Sequence, residues 1–224
     1  SDRPLLCVSV SGEEVVVGSA DHACYAFKGQ SKRQLYSKTQ GHAEWVTGVI
    51  HFQNDVLSAG MDGKLCRWKG RRCDELLACG ASLSVLLVDR REPVALSADY
   101  EGVARLRRLT DNVEVAPLAN AQRGRTAAAP ILCACWHDHH VLCGDRDGRA
   151  TLYRADTASV DGVFEQSSNA HVTAVAALDE TFVTGAADGH LRMWDSRTTT
   201  RRSTGVHRAE GPINGLCGFE EDAN

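Results

Sequence analysis

The sequence predicts an all-β fold, and three observations carry that reading. Short runs rich in β-branched and aromatic residues alternate with polar ones, and each run is bounded by Gly, Asp, Asn or Ser. A turn carboxylate recurs: Asp21, Asp62, Glu101, Asp147 and Asp188 stand 41, 39, 46 and 41 residues apart, in or near the ~40 to 45-residue period of a four-stranded repeat. Nothing reads as a long helix and no linker interrupts the chain, so 1–224 is taken as a single domain or a fragment of one.

The repeats occupy approximately 4–40, 41–80, 81–126, 127–168 and 169–208, with a partial unit at 209–224. In the first, strands are expected at 5–10, 15–19, 23–27 and 34–37; in the second, at 46–52, 56–59, 65–69 and 75–78. The third, at 83–89, 93–98, 103–109 and 113–118, is degenerate, because Glu101 replaces the turn Asp and Arg107 takes the place of Trp68. A longer loop is expected before Pro130, where the segment 120–126 is small, polar and basic. The fourth repeat resumes at 131–136, 141–144 and 150–154. The fifth follows with Val172-Thr173-Ala174-Val175, and a further strand is expected at 212–217.

The second and fifth repeats carry the most specific pattern. His42, Val46-Thr47-Gly48-Val49, Ser58-Ala59-Gly60-Met61-Asp62-Gly63 and Leu65-Cys66-Arg67-Trp68 are matched by His171, 172–175, Thr184-Gly185-Ala186-Ala187-Asp188-Gly189 and Leu191-Arg192-Met193-Trp194-Asp195. The chain resembles the WD-repeat family over nearly its whole length. That resemblance implies a WD-repeat β-propeller, with five recognisable blades plus the first strand of a sixth, as part of a seven-bladed ring. It also implies a buried relay of His, hydroxyl, Asp and Trp: His42, Ser58, Asp62 and Trp68, and again His171, Thr184, Asp188 and Trp194. The chemistry is self-consistent, since a turn carboxylate holds the imidazole, the imidazole meets the hydroxyl, and the hydroxyl accepts from the indole N–H. A Ser, His and Asp together also suggest a hydrolase triad, but a set that recurs at the same repeat positions is explained by blade stabilisation. In an open ring, unpaired strand edges and one blade's apolar face are expected to be exposed.

Composition narrows the function classes. With 43% hydrophobic and 24% charged residues, this is an ordinary globular composition. A net charge of −4 lacks the global basic excess of a nucleic-acid binder, so any RNA contact needs a local patch. The longest uncharged apolar run, 76–88, is 13 residues, well short of the ~20 that span a bilayer. No signal-peptide core follows Asp2 and Arg3, and nine scattered cysteines read as reduced, buried thiols; a cytoplasmic or nuclear setting is expected.

The function implied by the resemblance is a non-enzymatic scaffold that docks partner proteins or peptides on one propeller face. The candidates are Met61, Tyr100 and Arg146, each just before its turn carboxylate, and Trp45 on the approach to a first strand, where it is either core or exposed. The alternatives are an architectural subunit of a large ribonucleoprotein or microtubule-based (ciliary or axonemal) assembly, and a propeller enzyme. Arg123 and Arg125 are the best centre for an RNA patch, a partner possible but not favoured. Cys133, Cys135, His137, His139, His140 and Cys143 have the residue types of a metal site, but equivalent positions elsewhere are loop or packing residues, so no metal is expected. No Gly-rich phosphate loop followed by Lys is present; no cofactor, membrane or small-molecule substrate is expected.

Overall fold

The computed structural model describes residues 3–89, 91–118, 128–166, 168–178, 181–195 and 203–217. Among them the secondary structure is all β, in five four-stranded antiparallel sheets. Blade one comprises β1 (Leu5–Ser11), β2 (Glu14–Ser19), β3 (Cys24–Lys28) and β4 (Ser31–Leu35); blade two comprises β5 (Val46–Phe52), β6 (Asp55–Gly60), β7 (Lys64–Lys69) and β8 (Arg72–Ala78). Blade three is β9 (Leu83–Val88), β10 (Val94–Asp99), β11 (Ala104–Arg108) and β12 (Val113–Leu118). Blade four is β13 (Ile131–His137), β14 (His140–Asp145), β15 (Arg149–Arg154) and β16 (Ser159–Glu165), and blade five is β17 (Val172–Leu178), β18 (Thr181–Ala186), β19 (His190–Asp195) and β20 (Ser203–Arg208). In every sheet the strands lie in chain order, as short connections require. No described helix is long and apolar enough to cross a membrane.

The inner strands fall close to their expected positions because their alternation is strong. The outer strands are less legible. β4, of sequence SKRQL, starts three residues before the expected strand, directly after a turn in which Gly29 has φ +54°. β8 likewise starts at Arg72 behind Gly70, with φ +64°. A polar outer strand looks like loop, because one of its edges faces solvent and few of its side chains are buried.

The chain divides into two compact units, Ser1–Tyr100 with Arg105–Val115, and Glu101–Ala104 with Ala116–Asn224. In the first, Val16, Cys24, Ala26 and Leu35 of blade one pack with Val46, Val49, Val56, Cys66 and Trp68 of blade two. The Cys7 thiol donates to Val46 O at 3.6 Å, and Thr47 Oγ1 donates to Leu83 O at 2.7 Å. In the second, Leu142, Leu152 and Phe164 of blade four pack with Val172, Val175, Phe182 and Trp194 of blade five. The same two links recur there: Cys133 Sγ donates to Val172 O at 3.4 Å, and Thr173 Oγ1 donates to Ile213 O.

The segment 212–217 forms no ladder among the described residues. Ile213 nonetheless lies against Gly185, as Val46 lies against Gly18 and Val172 against Gly144, so it takes the packing place of a first strand without the pairing. At the other end, Leu5 occupies the register of Val46, Ile131 and Val172. Those three are 0–1% exposed and Leu5 is 57% exposed, with Leu6, Val8 and Val10 also open.

Candidate functional site

One backbone hydrogen bond repeats in all five blades and supplies a ruler independent of residue type. Ala20, Met61, Tyr100, Arg146 and Ala187 donate their N–H to the carbonyls of Pro4, Trp45, Ser82, Pro130 and His171, at 2.8–3.0 Å. It ties the turn after each second strand to the residue leading into that blade's first strand. The five donors are therefore equivalent, and so are the five acceptors.

In blade two the relay residues converge. His42 Nδ1 lies 3.0 Å from Asp62 Oδ1, His42 Nε2 lies 2.7 Å from Ser58 Oγ, and Trp68 Nε1 donates to Ser58 Oγ at 2.8 Å. Every polar atom is satisfied when Nδ1–H donates to the carboxylate and Nε2 accepts the Ser58 hydroxyl proton. Asp62 Oδ2 also accepts Ala43 N–H at 2.8 Å, and Oδ1 accepts Lys64 N–H at 3.1 Å. One carboxylate thus closes the turn and holds the loop that leads to Trp45.

Blade five is built differently. Trp194 Nε1 donates to Thr184 Oγ1 at 3.0 Å, but Asp188 Oδ2 accepts from Ser168 Oγ at 2.7 Å and lies 3.2 Å from His190 Nδ1. Ser168 precedes Thr184 by 16 residues and Asp188 by 20, the offsets of His42 from Ser58 and Asp62. His171, expected in the relay, comes three residues too late; it is exposed and holds the position of Trp45. Ser168 and His190 were missed because a histidine nearby drew the assignment, although the spacing identified Ser168.

Burial pushes the Asp62 pKa up, but the hydrogen bonds from His42, Ala43 and Lys64 outweigh it and hold the carboxyl below its ordinary 3.8. Asp188 is likewise held low: burial opposes, and Ser168 and His190 prevail. A lowered folded-state pKa gives stability that is present above the unfolded value and lost as pH falls through the folded one. The wild-type melting temperature is therefore expected to fall, as the pH drops below the ordinary carboxylate value of 3.8, more steeply than that of Asp62→Asn. Parallel acid profiles would contradict this assignment.

Blade one keeps the turn acid, Asp21, which accepts Ala23 N–H at 3.2 Å, whereas blades three and four close their turns with different groups. Asp145, at the end of β14, accepts N–H from Asp147 and Arg149, each at 2.9 Å, so the structural acid stands two residues before the one that the sequence period picks out. Buried Asp99 occupies the same place in blade three and takes Arg105 at 2.8 Å.

The candidate docking residues sit as follows. Trp45 is 46% exposed and Tyr100 is 41% exposed; Met61 is half-buried between them along a bonded path. Trp45 O accepts Met61 N–H at 2.8 Å, Met61 O accepts the Ser82 hydroxyl at 2.6 Å, and Ser82 O accepts Tyr100 N–H at 3.0 Å. The end of blade two is thereby stitched to the end of blade three. Arg146 is exposed at the equivalent position of blade four, in the other unit. Arg123 and Arg125 lie outside the described residues.

Among the described residues no group of three or more His, Cys, Asp or Glu is arranged to hold a metal. His137 packs edge-on against Phe182 with ring centroids 5.3 Å apart, and His140 faces Asp161 at 3.4 Å. Burial lifts the thiols of Cys133 and Cys135 to about 12, so both remain protonated packing groups at neutral pH. One polar cluster has no counterpart in the repeat: Ser9 Oγ lies 2.9 Å from His51 Nδ1, and His51 Nε2 lies 3.4 Å from Glu14, which also pairs with Arg33 at 3.2 Å. Ser9 Oγ accepts the His51 backbone N–H as well, at 3.1 Å, so the set fastens β1 to β5.

Two segments, 33–69 and 162–195, match the family profile described as WD domain, G-beta repeat. Each match runs from a blade's last strand through the first three of the next. The chain is 24% identical over 188 residues to a ribosome biogenesis protein WDR12 homolog of Arabidopsis thaliana, covering 81% of this chain and 43% of that protein. It is 22% identical over 203 residues to a guanine nucleotide-binding protein subunit beta of Arabidopsis thaliana, covering 81% of this chain and 52% of that protein. The chain thus spans about half the length of these relatives. Among solved structures it is similar to the computationally designed Ika8 protein, with TM-score 0.80 and 20% identity over 97% of this chain and 66% of that one. It is also similar to the WD40 beta propeller domain of Doa1, with TM-score 0.74 and 18% identity over 94% of this chain and 71% of that one.

Proposed function

We propose that this chain, two segments of which match the WD-repeat profile, is a non-enzymatic platform docking partner proteins or peptides on the end of the blades that carries Trp45, Met61 and Tyr100. One observation carries this reading. The relay groups are used up inside the blades, whereas Trp45 and Tyr100 are large rings held out to solvent on a backbone that three hydrogen bonds make rigid. Rigid, exposed aromatics bury much area on binding at little entropic cost, which is why such residues dominate interface energetics.

The test is affinity capture from cell extract by the wild type, a Trp45→Ala/Tyr100→Ala double variant, and Tyr36→Ala, which removes an equally exposed ring from the outer part of blade one. The double variant is expected to lose about tenfold in recovered partner, and Tyr36→Ala to retain it. Equal recovery by all three overturns the reading. A second reading, a fixed subunit of a ribonucleoprotein assembly, draws on the relative described as a ribosome biogenesis protein. RNA that remains bound to the double variant and is released by salt would favour it.

A further inference from the structure

Resting on the docking reading, we infer that the Trp45–Met61–Tyr100 surface receives an extended protein segment through an arginine side chain. The charges around the rings carry this. Glu44, next to Trp45, is exposed and makes no ion pair among the described residues. Asp62, next to Met61, is held in its ionised form by His42, Ala43 and Lys64. The basic side chains that follow the same two turns are already matched: Lys64 Nζ lies 3.0 Å from Glu75, and Arg105 lies 2.8 Å from Asp99. Glu44 is therefore the available carboxylate beside an exposed ring, while Asp62, its side chain largely buried and its oxygens already taken, adds to the negative field without offering a free acceptor.

An aromatic face attracts a cation through its quadrupole, and an adjacent carboxylate adds directional hydrogen bonds. A guanidinium satisfies both at once, because its plane stacks on an indole or phenol while its edge presents a fork of N–H donors to a carboxylate. An acidic segment would be repelled by Glu44, and a purely apolar one would leave that carboxylate dehydrated without a partner.

The experiment titrates the full chain with an acetylated, amidated pentapeptide having arginine at its centre, and with the same peptide carrying citrulline, while following tryptophan emission. Of the other three tryptophans Trp68 and Trp194 are buried and Trp136 is half-buried in β13 of blade four, so the exposed Trp45 indole is the responsive one on this surface. Saturable binding by the arginine peptide is expected, weakened about fivefold by citrulline and by Glu44→Gln; in Trp45→Ala, which lacks the reporter and is therefore titrated by calorimetry alongside the wild type, binding is expected to be lost. Glu13→Gln, which removes an exposed acid from the β1–β2 turn, is expected to leave affinity unchanged. Equal affinity for the citrulline peptide, or equal weakening by Glu13→Gln and Glu44→Gln, overturns the inference. If partner capture depends on Trp45 and Tyr100 while charge has no effect, the arginine assignment fails and the docking reading stands; if capture ignores the rings, the docking reading itself fails.

Discussion

His42→Ala is expected to lower stability by about 1 to 3 kcal/mol, while His171→Ala changes it by less than about 0.5 kcal/mol, although the sequence presents the two as counterparts. The asymmetry follows from what each ring touches. His42 is buried, and its two nitrogens face Ser58 and Asp62 at 2.7 and 3.0 Å. Deleting it leaves a hydroxyl and a carboxylate inside the blade without their partner, and those groups then bear their desolvation cost uncompensated. His171 is exposed and contributes to the repeat only its backbone carbonyl, which alanine also supplies. For a chain of this length the His42 loss corresponds to a melting-temperature drop of roughly 2 to 12 °C. Ser168→Ala should fall between the two, near 1 kcal/mol, because it removes a single 2.7 Å bond to Asp188. Thermal unfolding of the three variants decides the matter: a His171→Ala loss as large as that of His42→Ala would place the fifth relay where the sequence first suggested it.

The fold was legible because burial on both faces of a blade forces the inner strands into apolar, β-branched runs that no loop resembles. The relay was legible in blade two for a related reason: its polar residues interrupt those runs at fixed distances, 16 residues from His42 to Ser58 and 20 from His42 to Asp62. What escaped was substitution within the same geometry. A serine at position 168 does the work of a histidine on the turn carboxylate, and in blades three and four the acid moves two residues upstream, to Asp99 and Asp145. Residue type is a poor guide here, since any short acceptor placed inside the turn can take the free N–H groups. Exposure was also unreadable: a tryptophan on the approach to a strand suits core and surface equally, and the folded chain leaves Trp45 46% exposed.

Gly63→Ala is expected to cost about 3 kcal/mol and Gly70→Ala about 1 kcal/mol, although both glycines have left-handed backbone in turns of the same blade, at φ +74° and +64°. Any L-residue at either position carries the strain of a positive φ, and for Gly70 that is the whole cost, since an added Cβ there meets nothing within 4 Å. At Gly63 the same atom would lie 2.1 Å from Cys79 O and 2.8 Å from Ala81 O, both backbone, so the strand exit after β8 must move. The Gly63 carbonyl also accepts Cys79 N–H at 3.0 Å, which leaves that segment little room to shift without breaking a bond. The displaced segment runs directly into Ser82, whose hydroxyl and carbonyl join Met61 to Tyr100. Gly63→Ala should therefore reduce partner capture beyond its effect on the melting temperature, when assayed well below that temperature, whereas Gly70→Ala should leave capture intact. Identical melting curves for the two variants would show that the segment after β8 yields freely, and that the stitching between blades two and three is too loose to position the aromatic pair.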